Sequence, residues 1–522
     1  MRTLRLLILV SLLSLSLSGQ EQPQPTQPTP PPPGAAPQPA PPPKDKKSAD
    51  RKISDKEAKE LFSQVDQILK FVSKDTGLPI KHPVKRELAS REKVRSYLEE
   101  ENKNDEDNKR LQRTAIILKK LGLLPRDFDL GKYIDDLLEE QVSGYYDAKT
   151  KTVYLLDWVD PDSQKPVLAH ELTHALQDQN FDLDKFLRQG AKAEDQSKEL
   201  KAHDSVVVKP DEPGTARHAI IEGQAMIVLY DYFLDPSGRS VADSPQIVQM
   251  LRAQSQQSDD KYPLMSRAPL YLRDSLIFPY TYGMDFEVAL LRQGKEKAFA
   301  GVLSDPPRNT REVMEPKVYG TGEKIEPLTL PDMRKLLGKD YEPYDIGNLG
   351  EFDVHALMKQ FAGEKTANRL SPHWRGGAYY AAERTAGKAG QTDCSAKPAD
   401  AKLLEAQRTS CLSLLSETRW DTPEAAKQFA ERYASLLLVK YKFAQSLSDE
   451  SAKPEAKAEK APARCFECLG GERWMTDEGE VTIQQQGERV LVLETFDDAV
   501  TLKLQQATLP PPSPPPAVHS PQ

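Results

Sequence analysis

The stretch KPVLAHELTHALQDQ, residues 165–179, constrains this chain more than any other part of it. It contains His170, Glu171 and His174 in an HExxH arrangement. Residues four apart lie on the same face of a helix, so both imidazoles can reach one metal ion. On a helix this spacing is a zinc signature in which the glutamate acts as general base. The sequence therefore predicts a helix that carries two zinc ligands and a base.

A third ligand is expected further along, because a catalytic zinc ion takes three protein ligands and leaves one position for water. The next apolar helical run, ARHAIIEGQAMIVLYDYFL at 216–234, carries Glu222. A carboxylate among apolar neighbours is costly to bury unless a partner neutralises it, which favours Glu222 as the ligand. Gly223 and Ala225 are small and would let this helix pack closely against the first. His218, one turn before Glu222, is a rival ligand, although a supporting or exposed position is favoured for it.

The HELTH helix followed by a later helix with the sequence EGQA resembles the gluzincins, the thermolysin-like zinc peptidases. The resemblance implies a zincin-like core in which one Zn2+ ion is held by His170, His174 and Glu222. It also implies that Glu171 takes a proton from a metal-activated water and returns it to the leaving amine. The metzincin extension of the motif is excluded, because Gln177 stands where that class has glycine.

Some positions depart from the gluzincin pattern. The separation of His174 from Glu222 is longer than in thermolysin, and we expect the polar stretch Phe181–Asp211 to be an inserted loop that could cover the cleft. The acid that follows the third ligand by one turn in thermolysin is replaced here by Met226. Asp178, one turn after His174, is expected to orient a ligand instead.

An oxyanion donor is also implied by the resemblance, since gluzincins use a Tyr or His well downstream of the Glu ligand. The segment LIFPYTYGMDF, residues 276–286, offers Tyr280 and Tyr282 in an apolar setting that also predicts a helix. Tyr282 is the preferred candidate. A place in the hydrophobic core is the competing interpretation for either tyrosine.

A longer run of segments, GYYDAKTKTVYL, HELTHALQDQ, EGQA, FPYTYG and PPRNT, resembles secreted bacterial proteins regarded as metallopeptidases. The resemblance spans roughly Arg86–Tyr319 and supports the enzyme class, for which we expect a peptide or protein substrate. An endopeptidase is favoured, because the G-x-M-x-N motif of aminopeptidases does not match Ser143–Asp147. The competing hypothesis is a non-catalytic zinc-binding envelope protein that uses a zincin scaffold for protein interaction. The intact Glu171 favours the enzyme, since a binding scaffold does not need the base.

The N-terminal residues 1–19, MRTLRLLILVSLLSLSLSG, predict a signal peptide with a basic start and a short apolar run. Its cleavage would leave a mature chain without a membrane span, secreted or periplasmic in the cell envelope. Residues 20–49 are rich in proline and predict a semi-rigid linker. The formal net charge of -8 disfavours a nucleic-acid binder, which would show a basic patch.

The remaining pattern predicts an α+β protein. Residues 50–345 are expected to form the zincin-like domain, with a helical N-terminal part and a small sheet beside the zinc helix. Strands at Tyr145-Tyr146 and Thr152–Leu156, joined by a turn, would belong to that sheet. Residues 346–508 are expected to form an α+β region, in which Val481–Gln486 and Arg489–Phe496 make a hairpin. Residues 509–522 predict a disordered Pro-rich tail.

All four cysteines fall in the second half of the chain, at Cys394, Cys411, Cys465 and Cys468. An even number of cysteines in an exported protein favours disulfides over a metal site. Cys394 is close enough in sequence to bridge to Cys411. We therefore expect one or two structural bridges.

Overall fold

The computed structural model describes residues 52–101, 105–202, 204–243, 263–385, 394–395, 401–447 and 471–509. The predicted signal peptide, the Pro-rich linker and the pair Cys465 and Cys468 lie outside these ranges. Of the predicted tail only Leu509 is described, and it is buried in the core rather than disordered. Within the described ranges, no helix combines the length and the apolar character needed to cross a bilayer.

α-Helices dominate the chain up to residue 340. Their bounds over the whole described chain are α1 Asp55–Thr76, α2 Arg91–Glu101, α3 Asp105–Leu121, α4 Leu130–Gln141, α5 Pro161–Phe181, α6 Leu183–Glu194, α7 Pro213–Leu234, α8 Pro263–Arg267, α9 Leu270–Leu291, α10 Val302–Ser304, α11 Thr310–Met314, α12 Met333–Leu337, α13 Glu351–Ala362, α14 Glu364–Leu370, α15 Ala401–Cys411, α16 Pro423–Lys440 and α17 Asp498–Thr508. A π-helical turn, Lys297–Gly301, leads into α10. Short 3-10 turns occur at Ser197–Lys201, Asp235–Ser237, Val241–Asp243, Gly338–Asp340 and Ser371–His373.

Within the described ranges the strands form three sheets. Their bounds are β1 Lys85–Ala89, β2 Tyr145–Asp147, β3 Thr152–Leu156, β4 Val206–Val208, β5 Leu328–Leu330, β6 Tyr341–Asn348, β7 Trp374–Arg384, β8 Leu412–Trp420, β9 Ala444–Ser446, β10 Glu472–Thr476, β11 Gly479–Gln486 and β12 Arg489–Glu494. The sheets have the orders β1-β3-β2, β6-β7-β8-β12-β11-β10-β9 and β4-β5. The predicted α+β class is confirmed.

The small sheet lies beside α5. β3 pairs parallel to β1 and antiparallel to β2, so β2 is an outer strand. The predicted hairpin before the HELTH helix is confirmed, with the first strand one residue longer than expected. Asp178 of α5 is buried and accepts hydrogen bonds from the Tyr146 hydroxyl and the Lys151 amine, each at 2.7 Å. These contacts fix the turn of the hairpin to the helix.

The seven-stranded sheet is antiparallel throughout and carries core on both faces. Neighbouring side chains along a strand point to opposite faces. Thus Val490 and Val492 join a core shared with the N-terminal helices, whereas Leu491 and Leu493 join a second core with α17. The expected boundary between residues 345 and 346 falls inside β6, where Asp345 and Ile346 pair with β7. The helical part and the sheet therefore share one continuous core.

The stretch between α5 and α7 is structured rather than a loop. It contains α6, a 3-10 turn and β4. β4 pairs with β5, and Val206 and Val208 are buried in the second core beside Leu328 and Leu330. The polar composition misled the prediction, because α6 is amphipathic and buries only one face. The segment that connects the HELTH motif on α5 to Glu222 on α7 is thus anchored on the large sheet.

A buried charge network joins the N-terminal helices to that sheet. Lys440 of α16 donates to both oxygens of Glu494 on β12, at 2.6 and 2.7 Å. The hydroxyls of Tyr433 and Tyr441 donate to the same carboxylate. Lys120 of α3 adds a contact of 2.8 Å with Glu478. Charges buried this deeply are tolerated only when paired, so the network fixes how α3, α16 and the sheet meet.

The bridge between Cys394 and Cys411 is present, as expected. It ties residue 394 to the end of α15, directly before β8. β8 pairs antiparallel with β7. The predicted hairpin at Gly487-Glu488 is confirmed as β11 and β12.

Glu287 of α9 gives a pH-dependent prediction. It is fully buried, neither carboxylate oxygen has a hydrogen-bond partner among the described residues, and burial raises its pKa well above 4.5. Below pH 4.5 the carboxyl is neutral both folded and unfolded. As the pH rises towards the folded pKa only the unfolded chain ionises, and the folded state loses about 1.4 kcal/mol per pH unit. Glu287→Gln removes this loss.

We expect Glu287→Gln to match the wild type in free energy of unfolding at pH 4 and to exceed it at pH 8. Urea denaturation at both pH values measures the difference. Glu424→Gln, on the exposed face of α16, is the matched control and should leave the pH profile unchanged. Identical profiles for wild type and Glu287→Gln would show that the carboxyl ionises without cost.

Candidate metal centre

The helix α5 places the two histidines of the HELTH motif on one buried face. It begins after Asp160, whose side chain accepts from the backbone N–H groups of Asp162 and Ser163. The first helical residue is therefore Pro161, and Pro166 lies in the second turn. His170 and His174 follow one turn apart, and both are fully buried.

The helix α7 brings Glu222 against these histidines. Gly223 next to it lies against Gly283 of α9, and neither position has room for a Cβ. The small residue at 223 therefore allows close packing against α9, not against α5 as we expected. Glycine is needed because the two backbones approach where any side chain would collide.

Three ligand-type atoms converge. Nε2 of His170 is 3.2 Å from Oε2 of Glu222, and Nε2 of His174 is 3.6 Å from the same oxygen. One ligand atom from each of the three residues lies within 4.8 Å of the others. All three atoms are buried, and none has a hydrogen-bond partner among the described residues. Buried polar atoms are rarely left unpaired. A metal ion fits this donor set of two imidazoles and a carboxylate.

The electrostatics of the three groups agree with this geometry. Burial alone would raise the pKa of Glu222, but the two imidazoles hold that pKa at about 2. Burial lowers the pKa of His170. Burial also acts to lower the pKa of His174, but the carboxylates of Glu222 and Glu171 outweigh it and raise that pKa. The carboxylate of Glu222 is therefore ionised, as a metal ligand must be.

Glu171 lies on the same helix between the two histidines and is fully buried. The chain entering β2 passes over it. A Cβ at Gly144 would lie 3.8 Å from Cγ of Glu171 and 3.1 Å from Cγ1 of Val167. Glycine thus lets the outer strand of the small sheet approach the predicted base.

The residue that contacts His174 from behind is Gln177, not Asp178. Oε1 of Gln177 is 2.9 Å from Nδ1 of His174. Asp178 instead accepts from Tyr146, Lys151 and the backbone N–H of Leu183. Positions i+3 and i+4 both neighbour residue i on a helix, and the expectation for Asp178 fails because its carboxylate is engaged by these other donors. The sequence signal for this contact is the three-residue spacing of Gln177 from His174, which makes them neighbours on a helix.

Of the two tyrosines, Tyr280 lies at the metal centre. Its ring centroid is 6.4 Å from that of His170, with 20° between the ring planes. The ring of Tyr282, about 200° further around the helix, contacts Phe278 and His355. The preference for Tyr282 therefore gives way to Tyr280.

His218 lies one turn before Glu222 on α7 and is half-buried. It is outside the group of three convergent ligands. The structure therefore brings together His170, Glu171, His174 and Glu222, adds Tyr280 and Gln177, and leaves out Tyr282, Asp178 and His218.

Comparison with known proteins gives no further guide to this site. No protein-family model, no curated protein and no solved structure matches the chain. The function of the site has to be inferred from the geometry and chemistry of its own residues.

The ligand assignment predicts different metal contents for two variants. Glu222→Ala should lose bound zinc, because it removes one of three ligands and leaves a cavity. His218→Ala, on the same helix one turn away, should retain a stoichiometric zinc ion. Inductively coupled plasma mass spectrometry of the dialysed proteins measures both. The reverse pattern would move the third ligand to His218.

Proposed function

We propose that this protein is a zinc-dependent metallopeptidase of the gluzincin type. The observation that carries the proposal is the convergence of His170, His174 and Glu222 from two helices, with Glu171 of the HExxH motif between the histidines. The zincin-like arrangement of the small sheet beside α5 is part of the same proposal, as is export through residues 1–19.

The mechanism assigns the proton transfers to Glu171. His170, His174 and Glu222 would hold the ion, which would supply an acidified water molecule and a Lewis acid for the scissile carbonyl. Glu171 would take the proton of the attacking water and deliver it to the leaving amine. Its place on α5 between the two histidines supports this role. Tyr280, whose ring lies beside His170, would donate its hydroxyl hydrogen to the developing oxyanion.

The small sheet provides a surface for an extended peptide. β2 is an outer strand, antiparallel to β3, and the residue before it packs on Glu171. A peptide that adds to this edge would run past the metal centre and present its backbone carbonyls to it. This placement supports an endopeptidase, because the peptide could extend in both directions along the strand.

The second candidate is a non-catalytic zinc-binding envelope protein. The exposed fractions of His170, Glu171 and His174 are all 0%, and that of Glu222 is 6%. Structural zinc sites are closed, whereas catalytic sites keep an open position. The depth of the site therefore favours the scaffold, and the presence of Glu171 favours the enzyme. Zinc content alone does not separate them, but turnover does.

Turnover that requires Glu171 tests the proposal directly. We expect the zinc-loaded full chain to cleave members of a mixed peptide library and Glu171→Gln to be inactive while binding zinc normally, because the amide cannot accept the proton. Mass spectrometry of the digests detects the products and their flanking residues. Absence of cleavage by folded, zinc-loaded wild type would support the binding scaffold.

The two tyrosines give a matched pair of variants. Tyr280→Phe should lower kcat by about 100-fold or more, the usual loss when one oxyanion donor is removed, with little change in zinc affinity. Tyr282→Phe, two residues away on the same helix, should leave kcat within about threefold, since its ring packs on Phe278 and His355. Steady-state kinetics on a cleaved library peptide measures both. Equal losses of kcat in the two variants would contradict the assignment of Tyr280 as the oxyanion donor.

A further inference from the structure

Two glutamines lie behind His174 and are both fully buried. Gln177 is on α5, and Gln224 is on α7 two residues after Glu222. Nε2 of Gln177 donates to Oε1 of Gln224 at 2.8 Å and to the backbone carbonyl of Ile221 at 3.2 Å. Nε2 of Gln224 donates to the carbonyls of Ala298 and Phe299, at 2.7 and 3.2 Å. Both N–H groups of each amide are therefore used.

The chain of bonds has only one possible direction. The carbonyls of Ala298 and Phe299 can only accept, so the NH2 end of Gln224 must face them. Oε1 of Gln224 then faces Gln177, which in turn must present its own NH2 end. This leaves Oε1 of Gln177 for Nδ1 of His174, at 2.9 Å. Nδ1 must carry the hydrogen, and Nε2 is left to face Glu222.

We propose that Gln177 and Gln224 are positioning residues of the metal centre, which fix the Nδ1–H form of His174 and hold α5 against α7. The inference rests on the proposed function only through the metal site that this function requires. We call the hydrogen-bonded chain from His174 through Gln177 to Gln224 the relay. It ends at the π-helical turn Lys297–Gly301, whose carbonyls accept from Gln224. π-Helical turns are rare and are frequent at functional sites.

The relay also sets the distance between ligands. The carbonyl of Ile221 belongs to the residue before Glu222, so Gln177 ties the backbone beside one ligand to the ring of another. A histidine ligand that donates the N–H of its other ring nitrogen to a fixed acceptor is held in the correct ring rotation and tautomer. A packing role alone would need the volume of the two side chains but not their polarity. The complete use of their donors argues for the polar role.

The tautomer is the first readout and needs no metal. Long-range 1H–15N spectra of the metal-free protein at pH 9, with histidine labelled, should show His174 with its hydrogen on Nδ1. The signal is assigned by its loss in His174→Asn. In Gln177→Met the Nδ1–H form should no longer dominate. A wild-type His174 with its hydrogen on Nε2 would overturn the inference, whatever the variants do.

Zinc affinity is the second readout, with a matched control. Gln177→Met should weaken zinc binding by about 10- to 100-fold in competition with a chromophoric chelator. The control is Gln164→Met, on the same helix. Gln164 is also fully buried, and it bonds the backbone of Leu156 and Val159 rather than the ligands. Gln164→Met should lower the unfolding temperature but leave zinc affinity within about twofold. Equal losses of affinity in both variants would indicate general destabilisation and overturn the inference.

A double-mutant cycle tests whether the two glutamines act in series. Gln224→Met alone should weaken zinc binding, and it should add little in the Gln177→Met background, because the relay is already broken there. Additive losses would show independent roles and overturn the relay. A wild type that binds no zinc would refute the proposed function, yet the tautomer would still support or overturn the relay. A wild type that binds zinc but is inactive would leave the relay supported by both readouts.

Discussion

The carboxylate of Glu222 is buried between two imidazoles, and the packing of three helices depends on this arrangement. An ionised carboxylate taken out of water needs a charge or a metal to compensate it. A metal ion held together with His170 and His174 would provide this compensation, and the three side chains converge only if α5 and α7 stay at the observed separation. α7 is in turn pressed against α9 at Gly223 and Gly283, where the backbones touch. The need to neutralise the buried Glu222 thus constrains two helix–helix contacts, that of α5 with α7 and that of α7 with α9.

The second half of the chain also helps to hold α5 and α7 in place. The ligand helices α5 and α7 are joined through α6 and β4, and β4 is held by β5 against the seven-stranded sheet. The buried pair Lys440 and Glu494 fixes that sheet to α16, while Lys120 and Glu478 connect it to α3. Removing the sheet would free the connection between the two ligand helices. The region after residue 345 is accordingly part of the structure that holds the metal centre.

Much of this could be predicted from the sequence, because the motif is local. The four-residue spacing of the histidines on a helix can be recognised without knowledge of the fold, and so can the hairpin before that helix. The rotation of α9 about its own axis, in contrast, could not be predicted from local sequence. Tyr280 and Tyr282 are about 200° apart around a helix, so only one can face the ligands. Gly283 decides between them, since it contacts α7 and lies three residues after Tyr280, on nearly the same face. Only the contact between α7 and α9, which are separate in sequence, shows which tyrosine faces the ligands.

The neutral character of the His174 partner bears on the chemistry. In many zinc sites a carboxylate accepts the ring hydrogen and raises the basicity of the histidine ligand. Here an amide accepts it, and the relay ends on backbone carbonyls, so no negative charge is added behind the ring. Glu222 would then be the only anionic ligand of the group. A dication held by one carboxylate and two neutral imidazoles keeps a net positive charge in a buried site, where electrostatic effects are strong. That charge would favour acidification of a bound water, which is consistent with the proposed role of Glu171 as the base that receives its proton.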